Sequence, residues 1–188
     1  MKCLIKLLSI NLTIFFLVLP KSYSLEVYPM IGIWDYKHET DAYALNFKFI
    51  EEDEDNGINI KYLGNLKRTY DVSIFADIND GFKDTEISNN RWRSELSLFA
   101  GGGLAKIVKL SNNLSFVPSF SLGYYQHFEE GKDMGLPLEF KSELGLNYKI
   151  FSSSTVGLAW NHMSNADIGS KNPGSDSIYI SLRIKENF

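Results

Sequence analysis

From Leu136 to Ile150 the chain reads LPLEFKSELGLNYKI. Leu136, Leu138, Phe140, Leu144, Leu146, Tyr148 and Ile150 fall on even positions, and Glu139, Lys141, Glu143, Asn147 and Lys149 fall between them. A two-residue period places the two sets on opposite faces of an extended strand, which a 3.6-residue helix cannot do. The same alternation runs through Leu114–Tyr124, Tyr70–Ile78, Tyr43–Phe49 and Trp92–Leu98. It closes the chain, where Ile178, Ile180, Leu182, Ile184 and Phe188 oppose Tyr179, Ser181, Arg183, Lys185 and Asn187, with Glu186 the one misfit. Strands are expected near 28–36, 42–50, 67–78, 91–108, 114–126, 136–150, 153–164 and 176–187, so the fold class is all-β.

Alternation alone leaves two architectures open. In a soluble sandwich the apolar face is the core and the charged face meets water. In a membrane barrel the apolar face meets lipid, and Arg93, Glu95, Glu139, Lys141 and Glu143 line a small interior where they pair. Three features favour the barrel. Residues 1–24 read as a secretory signal peptide, with Lys2 and Lys6 ahead of an apolar run that is short for a bilayer span and small residues at Ser22 and Ser24. The final residue is Phe188, on a strand. The connections at 111–113 and 151–154 are short, whereas those at 79–90, 126–135 and 165–175 are long, as in barrels with short turns at one end and long loops at the other. An even count of strands closes without a free edge, which a lipid environment requires. The expectation is therefore an eight-stranded antiparallel transmembrane β-barrel of the bacterial outer membrane, formed by residues 25–188 as one domain. Residues 51–66 are the weak point: if Ile58, Ile60 and Tyr62 formed a barrel strand, 28–36 would not, and the segment is read as connection.

Cys3 is the only cysteine, so the exported chain has no disulfide framework and no cysteine metal site. Removing 1–24 takes away Lys2, Lys6 and Lys21 and no acid, leaving 16 basic and 23 acidic residues and a formal charge of −7. That balance argues against nucleic acid as a partner.

The seventh expected strand ends in TVGLAWNHMS and runs into NADIGSKNPGSD. Parity puts His162 and Ser164 on the apolar face with Trp160, and Asp176 on the same face of the next strand, so all three converge on one outer edge. Serine becomes a nucleophile when an imidazole takes its proton and a carboxylate holds that imidazole. Asn165 offers an amide to a developing oxyanion. The plain alternative is a rim histidine and a loop serine, with Asn-Pro-Gly as ordinary turn chemistry. His38 and His127 read as isolated surface histidines, and the acidic groups at 51–55 and 129–130 as solvated.

HMSNADIGSKNPGSD resembles the signature of the lipid A 3-O-deacylases, eight-stranded outer-membrane barrels with a Ser-His-acid triad on the outer surface. The matching positions are His162, Ser164, Asn165, Ala166, Ile168, Asn172, Pro173, Gly174 and Asp176, and residues 116–125 and 133–148 resemble the family's fifth and sixth strands. The resemblance implies His162 as general base, Ser164 as nucleophile, Asp176 as the orienting acid and Asn165 as needed for activity. It implies hydrolysis of the ester-linked 3-hydroxyacyl chain at position 3 of lipid A in lipopolysaccharide, within outer-membrane lipid, without metal or cofactor, and it is compatible with a homodimer. Two positions depart from the pattern: Asp176 stands where the family usually has Glu, and Asp167 where a small residue such as Gly is common. The competing reading is a non-catalytic small barrel with an adhesive or structural role.

Overall fold

In a computed structural model of the chain, the structure describes residues 25–36, 42–51, 57–77, 96–128, 132–152 and 154–184. The expected strand segments form β1 (Leu25–Ile33), β2 (Ala42–Glu51), β4 (Gly64–Asp77), β5 (Leu96–Ala105), β7 (Leu114–Phe128), β8 (Leu138–Lys149), β9 (Ser154–Ser164) and β10 (Ser175–Ile184). Two short strands, β3 (Ile58–Ile60) and β6 (Val108–Lys109), sit beside them. The order is β2-β1-β10-β9-β8-β7-β5-β4, and β4 pairs back onto β2, so eight antiparallel strands close on themselves. Closure pairs the edge strands with each other, as strands lying in lipid require.

Burial decides which face is which. Ile31, Leu45, Leu122, Leu144, Leu158 and Ile180 are exposed on the outside, while Asn46, Lys48, Asp71, Ser121, Lys141, Glu143 and Asn161 are buried within. An apolar exterior around a polar interior is the inverse of a soluble sandwich and the pattern of a transmembrane barrel. The interior charges pair, as the parity predicts. Lys48 Nζ lies 2.6 Å from Glu143 Oε1 and 3.7 Å from Asp71 Oδ1, and Lys141 Nζ lies 3.2 Å from the same Asp71 oxygen. Ser121 Oγ donates to Asp71 Oδ2 at 2.7 Å. Glu139 departs from this expectation, because neither of its buried carboxylate oxygens has a hydrogen-bond partner among the described residues. Arg93 and Glu95 lie outside the described residues. A void lined by Tyr28, Lys48, Glu143 and Ser181 measures about 10 Å³, room for about one water.

Asp71 is the acid on which two lysines converge. Asp71→Ala leaves Lys48 and Lys141 buried with one carboxylate fewer, so we expect a loss of about 3–5 kcal/mol in barrel stability. Urea unfolding in detergent micelles, followed by loss of heat-modifiable gel mobility, measures it.

The expected strand 28–36 corresponds to the barrel strand β1, Leu25–Ile33, and within the uncertain segment after β2, Ile58 and Ile60 of β3 pair with Leu66 and Gly64 at the start of β4. The expected strand 91–108 is interrupted. β5 ends at Ala105, Lys106 N donates to Pro118 O, and pairing with β7 resumes only at Val108. Residues 1–24, the loop 79–90, His38, Glu129, Glu130 and Phe188 lie outside the described residues, as does all but Glu51 of the acidic run 51–55.

Candidate active site

β9 and β10 are antiparallel neighbours, and their register sets His162 directly opposite Asp176. His162 Nδ1 lies 3.2 Å from Asp176 Oδ1, so the aspartate, one methylene shorter than a glutamate, reaches the ring. The indole of Trp160, two residues earlier on the same face, stacks with the imidazole at 6.5 Å between centroids and 21° between planes. The His162 side chain is 42 % exposed while that of Asp176 is only 8 % exposed. The expectation that Asp176 would face lipid openly is thus corrected. Outward parity holds along β10 from Ile178 on, but at the rim the carboxylate is covered, which spares an anion contact with hydrocarbon.

Ser164 ends β9, half-buried, opposite Phe140 of β8. Two residues of strand separate its Cα from that of His162 by roughly 6–7 Å on one face. No hydrogen bond joins the two side chains among the described residues. The fold therefore brings His162 and Asp176 into contact and sets Ser164 alongside them on the same face.

Asn165 is fully buried, and its placement differs from the expected oxyanion donor. Its Nδ2 donates to Met134 O at 2.7 Å and to Lys171 O at 2.8 Å, so both amide hydrogens hold loop backbone. Its own N–H donates to Asn172 Oδ1 at 3.0 Å. Asn165 is the peg that ties the end of β9 to the connection after β7 and to its own loop.

The turn after it explains Asp167. Ile168 N donates to Asn165 O at 3.2 Å, and the two residues between, Ala166 and Asp167, have φ of 55° and 59°. Both central residues of this turn are left-handed, which favours Gly, Asn or Asp. Asp167 tolerates the conformation, and its Oδ1 accepts from Asn172 Nδ2 at 3.0 Å, so the carboxylate is tied within its own loop. Pro173 and Gly174 then lead into β10. Gly174 has φ of 61°, and a Cβ there would sit 3.2 Å from His162 Cε1, so glycine serves both the backbone and the space against the imidazole.

A second clamp lies on the loop surface, where Lys171 Nζ is 2.5 Å from Asp133 Oδ2. The hydrogen bond from Lys171, with another from Gly135 N–H, holds the Asp133 carboxyl below its ordinary value. The link is fully present above the ordinary carboxylate range and is lost only as pH falls through that depressed value.

Sequence reasoning missed Trp34, Asp35 and Lys132, all fully buried beneath the site. None belongs to an alternating run. His127, expected as a surface loop residue, lies within β7, which continues to Phe128, and its Nδ1 is buried.

The lipid A 3-O-deacylase (PagL) family model matches residues 68–185, well over half the chain and inclusive of the whole site. The crystal structure of the outer membrane enzyme PagL superposes with a TM-score of 0.58 at 14 % identity, covering 86 % of this chain and 99 % of that one. The crystal structure of Neisserial surface protein A superposes with a TM-score of 0.55 at 10 % identity, covering 88 % of this chain and all of the other. No curated protein matches the sequence significantly.

Proposed function

Because the chain belongs to the lipid A 3-O-deacylase family and is an outer-membrane barrel, we propose that it hydrolyses the ester-linked 3-hydroxyacyl chain at position 3 of lipid A by a serine mechanism. The observation that carries this reading is the His162–Asp176 pair at 3.2 Å on the outer rim, with Ser164 two residues along the same strand face. An ionised Asp176 accepts from Nδ1–H, which leaves Nε2 as the basic nitrogen of the ring. Ser164 Oγ attacks the acyl carbonyl carbon as its proton passes to Nε2. The tetrahedral intermediate collapses with cleavage of the ester C–O bond, and the sugar oxygen leaves with that proton. Water, deprotonated by the same nitrogen, then releases the 3-hydroxy acid and frees the serine.

The position of the site suits a substrate that is itself a membrane lipid. The exposed residues Leu144 and Ile178 lie diagonally next to His162 on β8 and β10, so acyl chains in the outer leaflet lie against the same surface as the imidazole. Asn165 contributes by position. Asn165→Ala leaves the Met134 and Lys171 carbonyls without their donor, and turnover is expected to fall about 10²-fold as Ser164 and the loop lose register. Lipid A turnover by the purified variant checks this.

The reading is tested by expressing the full chain in a Gram-negative host lacking a deacylase and recording lipid A by mass spectrometry. Loss of one 3-hydroxyacyl mass is expected. An unchanged lipid A profile from an inserted, heat-modifiable barrel would favour a non-catalytic barrel instead.

A further inference from the structure

Lys132 lies on the connection between β7 and β8 with no exposed surface. Its ammonium donates to Asp35 Oδ2 at 2.5 Å and also to the carbonyl oxygen of Gly174. It stands 6.0 Å from the Trp34 ring centroid, and Tyr125 Oη donates to its backbone carbonyl at 2.9 Å. Trp34 stacks on Phe75 at 4.7 Å, and its Nε1 donates to Ser175 Oγ at 3.3 Å. Two other carboxylates lie within the electrostatic reach of this cation: Asp176 of the site and Glu139.

Gly174 and Ser175 are the two residues immediately before Asp176, and a Cβ at Gly174 would come within 3.2 Å of His162 Cε1. The Lys132 cluster therefore grips, through the Gly174 carbonyl, the backbone that delivers Asp176. Burying an ammonium costs several kcal/mol unless its donors are matched. Here one donor holds Asp35, which follows β1 with φ of 53°, and another holds Gly174, so a single side chain joins the β7–β8 connection, β1 and the entry to β10.

We propose that Lys132 is a positioning residue of the proposed deacylase site: its buried ammonium pins the Gly174 turn and so fixes Asp176 on His162. The proposal rests on the reading of His162 and Asp176 given above. Without the ammonium, the Gly174 carbonyl loses its donor, the turn relaxes, and the aspartate no longer lies in line with Nδ1.

The test removes both charges of the buried pair in the full-length protein, as Lys132→Met with Asp35→Asn, because Asn tolerates the left-handed backbone at 35. Wild type and variant are reconstituted in phosphatidylcholine nanodiscs. Two quantities are read: the downfield proton resonance of the His162 Nδ1–H held by Asp176, and kcat and KM on purified lipid A. The expected result is a barrel of folded mobility whose downfield resonance is lost and whose kcat falls about 10²-fold, with KM within about twofold. Retention of the resonance overturns the proposal, whether or not kcat falls. Loss of the resonance with unchanged kcat overturns it too. If the wild type itself does not deacylate lipid A but the resonance still depends on Lys132, the positioning role stands and the deacylase reading fails. Should the double variant not reach folded mobility, Lys132→Met alone is measured in the same way.

Discussion

Ser164→Ala is expected to lower lipid A deacylation by at least about 10⁴-fold while the barrel still inserts and keeps its heat-modifiable mobility. The serine ends β9 at the rim, and its hydroxyl makes no hydrogen bond among the described residues, so its loss removes the proposed nucleophile and little of the fold. The measurement is release of 3-hydroxy acid from purified lipid A in detergent, wild type against variant, at matched amounts of folded protein. A variant that retains more than a few per cent of activity would show that another group attacks the ester.

Asp176→Asn carries the second-largest effect. The substitution preserves size, but an amide presents either an oxygen or a donor to Nδ1, and with the donor in place the ring is held in the tautomer whose proton sits on Nε2. A loss of roughly 10³–10⁴-fold in kcat is expected. Asp176→Glu is expected to stay close to wild type in folded mobility and to retain most activity. The contrast between the two separates the charge at this position from its length. Because the carboxylate is buried against His162 and lies within electrostatic reach of Lys132, the Asn variant also leaves that buried cation with one carboxylate fewer nearby. Stability must therefore be recorded alongside the rate.

Seven of the eight barrel strands were legible as two-residue alternation, β1 being the exception, and so was the pairing of interior charges in outline: Lys141 and Glu143 share a parity and stand 3.9 Å apart. Which face met lipid was not legible, since a period of two is unchanged when inside and outside are exchanged. That choice came from connection lengths and chain ends, and burial of Lys48, Asp71 and Lys141 resolves it. The break in β5 was hidden because nothing in LAKIVK marks it. It follows from Pro118 on the neighbouring strand, which has no N–H for the ladder. At the site, His162 and Ser164 were readable because they are two residues apart on one strand, and Asp176 because antiparallel pairing across one loop fixes its register. The Asn165 pegs to Met134 and Lys171 were not readable, since a side-chain amide beside a serine looks equally suited to oxyanion binding. Lys132 and Asp35 are 97 residues apart and meet only because closure of the barrel sets β1 beside β10, a contact that no local pattern encodes.

The measurement that most directly tests the proposed triad is covalent labelling of the intact barrel in nanodiscs with a long-chain alkyl fluorophosphonate, followed by peptide mass mapping. A single phosphonate adduct on the peptide containing Ser164, absent from His162→Ala, is the expected result. An adduct on a different residue, or none from a protein that deacylates lipid A, would contradict a serine mechanism at this rim.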